Sequence, residues 1–129
     1  MTYPFEDEFM ERTTKRRRDL RGRQFMQCVA LSINCINSAT YRLTYIETLS
    51  HLRGYGYASL ALNWLCGLAD KHEIQLELVP VPLDEDTPDL VRLTRWYQSF
   101  GFRRIGMNDE MIRQPKRSFV ERKTYAAAG

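Results

Sequence analysis

Arg53-Gly54-Tyr55-Gly56-Tyr57-Ala58-Ser59 lies between a strand-like run, Tyr41 to Leu49, and a helix-like run, Leu60 to Glu73. Glycines at such a junction let the backbone turn tightly and bring its N–H groups close to a ligand. The helix that follows adds unpaired N–H groups and the positive end of its dipole. The segment therefore reads as an anion site, most readily for a phosphate group. Its spacing excludes two common phosphate binders. A dinucleotide-binding turn wants a third glycine where Ser59 stands, and wants the turn after its first strand. A nucleoside-triphosphate loop needs Gly-Lys-Ser/Thr, which is absent.

On the N-terminal side, Tyr41 to Leu49 alternates, with Tyr41, Leu43, Tyr45, Glu47 and Leu49 on one face. Before it, Gln24 to Asn34 is rich in β-formers, with Phe25, Val29, Leu31 and Ile33 on one parity, and reads as one strand. The Asn37-Ser38 turn joins the two as a hairpin. Residues 4–22 form a polar segment that reads as helical, anchored by Phe5, Phe9, Met10 and Leu20.

On the C-terminal side, Leu60, Ala61, Trp64, Leu65 and Leu68 form one helical stripe, at a cost of about 1 kcal/mol for Gly67. Ile74 to Val81 is a strand whose pairing ends at Pro80 and Pro82. After an acidic loop, Asp84-Glu85-Asp86, comes a helix start: Thr87 as N-cap, Pro88 in the first turn, Asp89 on the dipole. Leu90, Leu93, Tyr97 and Phe100 keep helical spacing up to Gly101, a C′ residue. Phe102 to Ile105 and Glu110 to Arg113 then close the chain as two short strands around a Gly106–Asp109 turn. The fold class is α/β (α+β): a single mixed sheet flanked by helices over residues 24–125, preceded by a polar, basic segment 1–23 and followed by a disordered tail 126–129.

Composition bounds the function. A chain of 129 residues with 43% hydrophobic content suits one domain with one core. No stretch approaches the roughly 18 apolar residues of a membrane helix, and the acidic start, Met1-Thr-Tyr-Pro-Phe-Glu-Asp-Glu, lacks a secretory layout. Cys28, Cys35 and Cys66 lie in apolar runs without metal-ligand spacing. They read as reduced, buried thiols of a cytoplasmic protein. With His51 and His72 as the two histidines and no His/Cys cluster, no metal site is expected.

Two blocks together narrow the ligand. Arg53, Gly56 and Ala58 meet the pattern Q/R-x-x-G-x-G/A, which resembles the acetyl-CoA pyrophosphate loop of the GCN5-related N-acetyltransferase (GNAT) superfamily. Leu93-Thr-Arg-Trp-Tyr97-Gln-Ser-Phe-Gly101-Phe102 is similar to that superfamily's "LYEKLGF" segment, at the right separation. The resemblance covers roughly residues 24–115. The truncated layout also looks like compact phage-type acetyltransferases. The resemblance implies a GNAT-like acyl-CoA fold, acetyl-CoA as co-substrate, and transfer to a primary amine, with a protein lysine or N-terminus as the leading acceptor. It implies that Arg53, Gly54, Tyr55, Gly56, Tyr57, Ala58 and Ser59 receive the pyrophosphate. The pantetheine arm would lie against Thr48 and Leu49, where that strand and the next, near Leu78 and Val79, splay apart. Tyr97 matches the general acid that meets the departing thiolate, the role favoured here over that of a core aromatic spaced with Leu93 and Phe100. The superfamily's frequent Asn seven positions before that Tyr is Leu90 here.

Glu47 is the candidate base, as the one acid on an otherwise apolar strand face, where burial would raise its pKa. An exposed edge or a bulge would turn it outward instead. His51, in the polar turn, is a lesser candidate.

Charge leaves partners open. Net charge is +3, yet seven Lys/Arg and one acid crowd Arg12 to Arg23, while from Gln24 onward 12 basic and 11 acidic residues nearly balance. The basic block reads as a solvated face, or as a site for nucleic acid or an acidic partner. With Arg92 and Arg95 it could hold the 3′-phosphate of CoA, and Asp84 to Asp86 could attract a cationic amine. The rival to the enzyme is a catalytically inactive acyl-CoA-binding domain acting as an interaction module. Monomer and homodimer are both compatible.

Overall fold

The computed structural model describes residues 3–15, 19–82 and 89–116. Arg16–Arg18 of the basic block, the acidic loop Asp84–Asp86, Thr87, Pro88 and the tail 126–129 lie outside the described residues.

Helix α1 (Pro4–Arg12) has proline in its first turn, where a missing N–H costs nothing, Glu6 and Asp7 on its positive end and Arg12 on its negative end. Phe5 and Phe9, four residues apart, form its buried stripe. The helical reading of residues 4–22 holds only this far. Strand β1 (Thr13–Thr14) pairs with strand β2 (Arg23–Phe25), and Thr13 Oγ1 donates back to Phe9 O at 2.6 Å.

The single strand expected over Gln24–Asn34 is two strands, β2 and β3 (Val29–Asn37). Met26 and Gln27 between them take left-handed φ of 53° and 58°, and Cys28 N–H donates to Phe25 O at 3.0 Å to close the turn. Neither residue is a glycine or asparagine, so the turn carries no sequence signal. The β3–β4 hairpin forms as read, with Asn37 Oδ1 accepting from Ala39 N–H at 2.9 Å before strand β4 (Thr40–Thr48).

One irregularity redirects half of β4. Ser32 pairs with Tyr45 and Ile33 with Leu43, leaving Thr44 as an extra residue. Tyr41 and Leu43 are buried before this bulge, and Ile46 packs on the core after it. Tyr45 and Glu47 therefore lie on the opposite face. The shared face expected for Tyr41 through Leu49 breaks at Thr44.

A single 3₁₀ turn (Ser50–Leu52) leads through the glycine segment into α2 (Tyr57–Lys71), which starts earlier than the expected Leu60. Its core stripe is Ala61, Leu62, Leu65, Cys66, Leu68 and Ala69; Leu60 is exposed, and Gly67 falls on the solvent side. Strand β5 (Gln75–Leu78) stops short of Val81. Helix α3 (Leu90–Gln98) is capped by Asp89, whose side chain accepts from Arg92 N–H at 2.9 Å, in place of the expected Thr87. Strands β6 (Arg103–Arg104) and β7 (Met111–Arg113) close the chain.

The sheet order is β1-β2-β3-β4-β5-β7-β6, with β4–β5 the parallel pair and the other neighbours antiparallel. Phe5 lies 4.7 Å from Tyr41, centroid to centroid, and Phe9 and Phe25 stack on Trp64 of α2 at 5.8 and 4.8 Å. The N-terminal segment thus belongs to the same core as the sheet. The other face of the sheet carries polar groups, including Arg42 between Glu77 (2.7 Å) and Glu110 (3.4 Å). Of the cysteines only Cys66 is buried; Cys28 is half-buried and Cys35 exposed, against the expectation of three buried thiols. Among the described residues no helix is long and apolar enough to cross a membrane.

Candidate active site

Gly54 and Gly56 take φ of +90° and +79°, conformations that side-chain-bearing residues rarely adopt. A Cβ at either would meet nothing within 4 Å, so the glycines serve backbone shape rather than packing, and the space above them is open. Gly56 is the N-cap of α2, and no side chain caps the helix. Leu60 N–H makes the first helical bond, to Gly56 O at 3.1 Å, so the N–H groups of Tyr57, Ala58 and Ser59 precede the helical ladder. Tyr55 is exposed beside the loop, its ring 6.0 Å from that of Tyr57.

Trp96 brings the second block to this loop. Its indole Nε1–H donates to Ser59 Oγ at 3.0 Å, stitching α3 to the first turn of α2. The Ser59 hydroxyl keeps its own proton to donate. The adjacent Tyr97 is 6% exposed, its ring 4.9 Å from Trp96 and 5.7 Å from Phe102. Burial pushes the Tyr97 phenol up to about 12. No side-chain polar atom is buried without a partner among the described residues. No hydrogen bond to the Tyr97 hydroxyl is formed by them either, so its oxygen reaches the surface while its ring is in the core.

Strands β4 and β5 part company early. They pair at Thr40–Gln75, Tyr41–Leu76 and Arg42–Glu77, after which β5 ends against β7 while β4 runs on to Thr48 paired with β3 on its other side. From Leu43 onward no strand among the described residues pairs with this edge of β4, and Val79, just past β5, is 45% exposed. Which backbone groups line that edge follows from the pleat. Leu49 N–H donates to Cys28 O at 2.9 Å, on the β3 side. Alternate residues direct their backbone groups to opposite sides, so Glu47 and Tyr45 bond toward β3, and Ile46 and Thr48 turn toward the open edge.

Glu47 does not occupy an apolar face. The Thr44 bulge turns it out, and its carboxylate accepts from Arg53 Nη2 at 2.7 Å and from the Tyr45 hydroxyl. The apolar surroundings expected for a Glu47 base are replaced here by a guanidinium and a phenol. Arg53 Nε also reaches Thr48 O at 3.4 Å. The structure therefore gathers Glu47, Thr48, Leu49 and Arg53 through Ser59 around one loop, joins Tyr97 to it through Trp96, and leaves His51 exposed in the 3₁₀ turn. Trp96, Tyr45 and Ile46 carry no site role in the sequence reading. Trp96 alone carried a signal, an indole N–H beside Tyr97 that needs a partner.

Of the described basic residues in the N-terminal block, Arg12, Lys15 and Arg21 are exposed and Arg23 is turned inward. Arg23 is 5% exposed and donates to the carbonyls of Met10 (3.1 Å), Thr13 (2.9 Å) and Asp19 (2.9 Å), closing the end of α1. Lys15 holds Arg21 O and lies 3.6 Å from Asp19.

No family model and no curated protein matches the sequence. Among solved structures the fold is similar to the crystal structure of Ard1 from Thermoplasma volcanium, with a TM-score of 0.52 and 15% identity over 69% of this chain. The chain spans 64% of that protein's length. At this identity the likeness speaks for fold alone. The architecture, a mixed and mostly antiparallel sheet flanked by helices and opened between its two middle strands, matches the GNAT-like fold of that neighbour.

Proposed function

We propose that the protein is an N-acetyltransferase that moves an acetyl group from acetyl-CoA to a primary amine by direct attack in a ternary complex. The observation that carries this reading is the parting of β4 from β5 beside the glycine loop. Among the described residues it leaves that edge of β4 without a partner strand, long enough for an extended arm to pair with, leading to a helix N-terminus suited to a pyrophosphate. The fold neighbour is an N-acetyltransferase, which agrees.

In this reading the N–H groups of Gly54 to Ser59 receive the pyrophosphate and the arm pairs along β4. An amine that has lost its proton to water attacks the thioester carbonyl. The oxyanion takes the N–H of Ile46 or Thr48, and the C–S bond breaks. The proton shed by the attacking nitrogen ends on sulfur, giving an amide and a free thiol. Tyr97 meets the departing sulfur. A phenol at about 12 is a weaker acid than a thiol at about 8.5. Tyr97 therefore steadies the thiolate with a hydrogen bond or relays a proton, since outright donation would be uphill. The acceptor favoured by the compact layout is a protein lysine or N-terminus.

The test is mass spectrometry of acetylated products after incubation with labelled acetyl-CoA and cell lysate, for the wild type and Tyr97→Phe. Loss of one hydrogen bond to a developing charge should lower turnover about 10- to 100-fold with acetyl-CoA affinity retained. Wild-type binding of acetyl-CoA without transfer to any amine would instead favour an inactive acyl-CoA-binding module.

A further inference from the structure

Arg53 and Glu47 occupy motif and strand positions that would ordinarily be assigned to separate tasks, one to phosphate and one to a proton. The geometry joins them. Arg53 Nη2 meets Glu47 Oε1 at 2.7 Å, Tyr45 donates its hydroxyl proton to the other carboxylate oxygen, and Arg53 Nε reaches Thr48 O at 3.4 Å. Both side chains keep about a third of their exposure (30% each), so the pair is half-sheltered and weakly screened compared with a surface pair. Thr48 O points to the open side of β4, by the pleat argument from Leu49. Arg53 thus fastens the last residue of the open strand edge to the loop that carries the glycines.

We propose that Arg53 and Glu47 are a positioning pair that fixes the end of β4 for the acyl-bearing arm, and that the pyrophosphate subsite is built from backbone N–H groups without the Arg53 guanidinium. Three observations support it. The guanidinium is turned back along β4, toward the bulged half of the strand. The bulge at Thr44 is what brings Glu47 to the face where Arg53 can reach it. The Tyr45 hydroxyl takes up the second carboxylate oxygen, so the carboxylate is held from two sides. The proposal rests on the acetyl-CoA reading above and assigns a role within it.

The roles separate by ligand fragment. Acetyl-CoA contains both pyrophosphate and arm, whereas 3′-phosphoadenosine 5′-diphosphate contains the pyrophosphate and lacks the arm. Titration calorimetry with each, on wild type, Arg53→Gln, Glu47→Gln and the double variant, reads the difference. A positioning pair predicts that each single variant weakens acetyl-CoA about tenfold, that the double variant is no worse than either, and that the fragment binds within about twofold of wild type throughout. Glu47→Gln preserves size and the Tyr45 contact, and retained fragment binding certifies that the loop is folded.

If Arg53→Gln weakens both ligands alike while Glu47→Gln changes neither, Arg53 is a phosphate ligand and the proposal is overturned. Tighter acetyl-CoA binding by Glu47→Gln would overturn it too, by making Glu47 a competitor for Arg53. Loss of both ligands in every variant counts against it as well. If the wild type itself binds neither ligand, the acetyl-CoA reading fails first, and this proposal with it.

Discussion

Arg113 and Asp70 show how much a single buried cation depends on its partner. The Arg113 side chain is 3% exposed and forks onto Asp70 at 2.8 and 3.0 Å, with Nε donating to Phe100 O at 2.7 Å. Burial works to raise the Asp70 carboxyl. Hydrogen bonds from the guanidinium and from Lys116 N–H outweigh it and hold the carboxyl below its ordinary value. A carboxyl lowered on folding contributes stability that is present above its unfolded pKa and lost as pH falls through the folded one. Wild-type melting temperature should therefore decline as pH drops below about 4, and Asp70→Asn should flatten that decline. At neutral pH Asp70→Asn leaves a buried guanidinium without its countercharge and should cost about 3 kcal/mol in denaturant unfolding. An equal loss at neutral pH and at pH 3 would show that the charge is not what matters. The Cys66 thiol, pushed up to about 11 by the same burial, is held neutral there.

At the scale of elements, α2 and α3 end in the same way with different residues. Phe102 N–H donates to Tyr97 O (3.3 Å) and Gly101 N–H to Gln98 O (3.0 Å), with Gly101 at φ +96°. After α2, Ile74 N–H donates to Ala69 O (2.8 Å) and Glu73 N–H to Asp70 O (3.2 Å), with Glu73 at φ +56°. Both are Schellman endings, and only the second pays a Cβ penalty for left-handed backbone. Glu73 is exposed and in no hydrogen bond through its side chain among the described residues. Glu73→Gly should accordingly raise stability by about 0.5–1 kcal/mol, read as a shift of the urea midpoint at constant slope. A loss would mean that glycine's unfolded-state entropy outweighs the relief.

The same contrast explains what could be read beforehand. Gly101 announced its turn, as did Asn37-Ser38 and the glycines before α2. The Met26–Gln27 turn and the Glu73 cap did not, because tertiary packing forces left-handed backbone on residues that rarely choose it. Two flanking strands therefore read as one. The β4 bulge was invisible for a related reason: strict alternation in Tyr41–Leu49 fits an unbroken strand equally well, and only pairing with β3 reveals that Thr44 is skipped. The glycine turn before α2 and the buried helical position of Tyr97 were legible because backbone freedom and helical spacing leave local marks. Glu47's partner was not, since it depends on that bulge.

At the scale of the molecule, α1 completes the core that α2 builds on the covered face of the sheet. Helix α1 contributes Phe5 and Phe9, both essentially buried, to the cluster built from β3, β4, α2 and β5. Phe9 and Phe25 stack against Trp64, Tyr41 donates its hydroxyl to Glu6 at 2.8 Å, and Glu8 accepts from Lys71 (2.6 Å) and His72 (3.0 Å) at the far end of α2. The exposed ion pairs add little, whereas the two rings fill space that no neighbouring side chain could close by relaxing. Phe9→Ala should cost about 3–5 kcal/mol. Because α1 shares the core with the sheet, that cost should fall on the whole chain. Fluorescence near Trp64 and backbone circular dichroism should move to a lower denaturant midpoint together, as one cooperative transition. Were α1 an appendage, fluorescence would shift alone and the sheet would unfold where it does in the wild type. Coincident transitions would also tie the site to the segment before residue 23, since β4 and α2, which carry the glycine loop between them, pack on the same two phenylalanines.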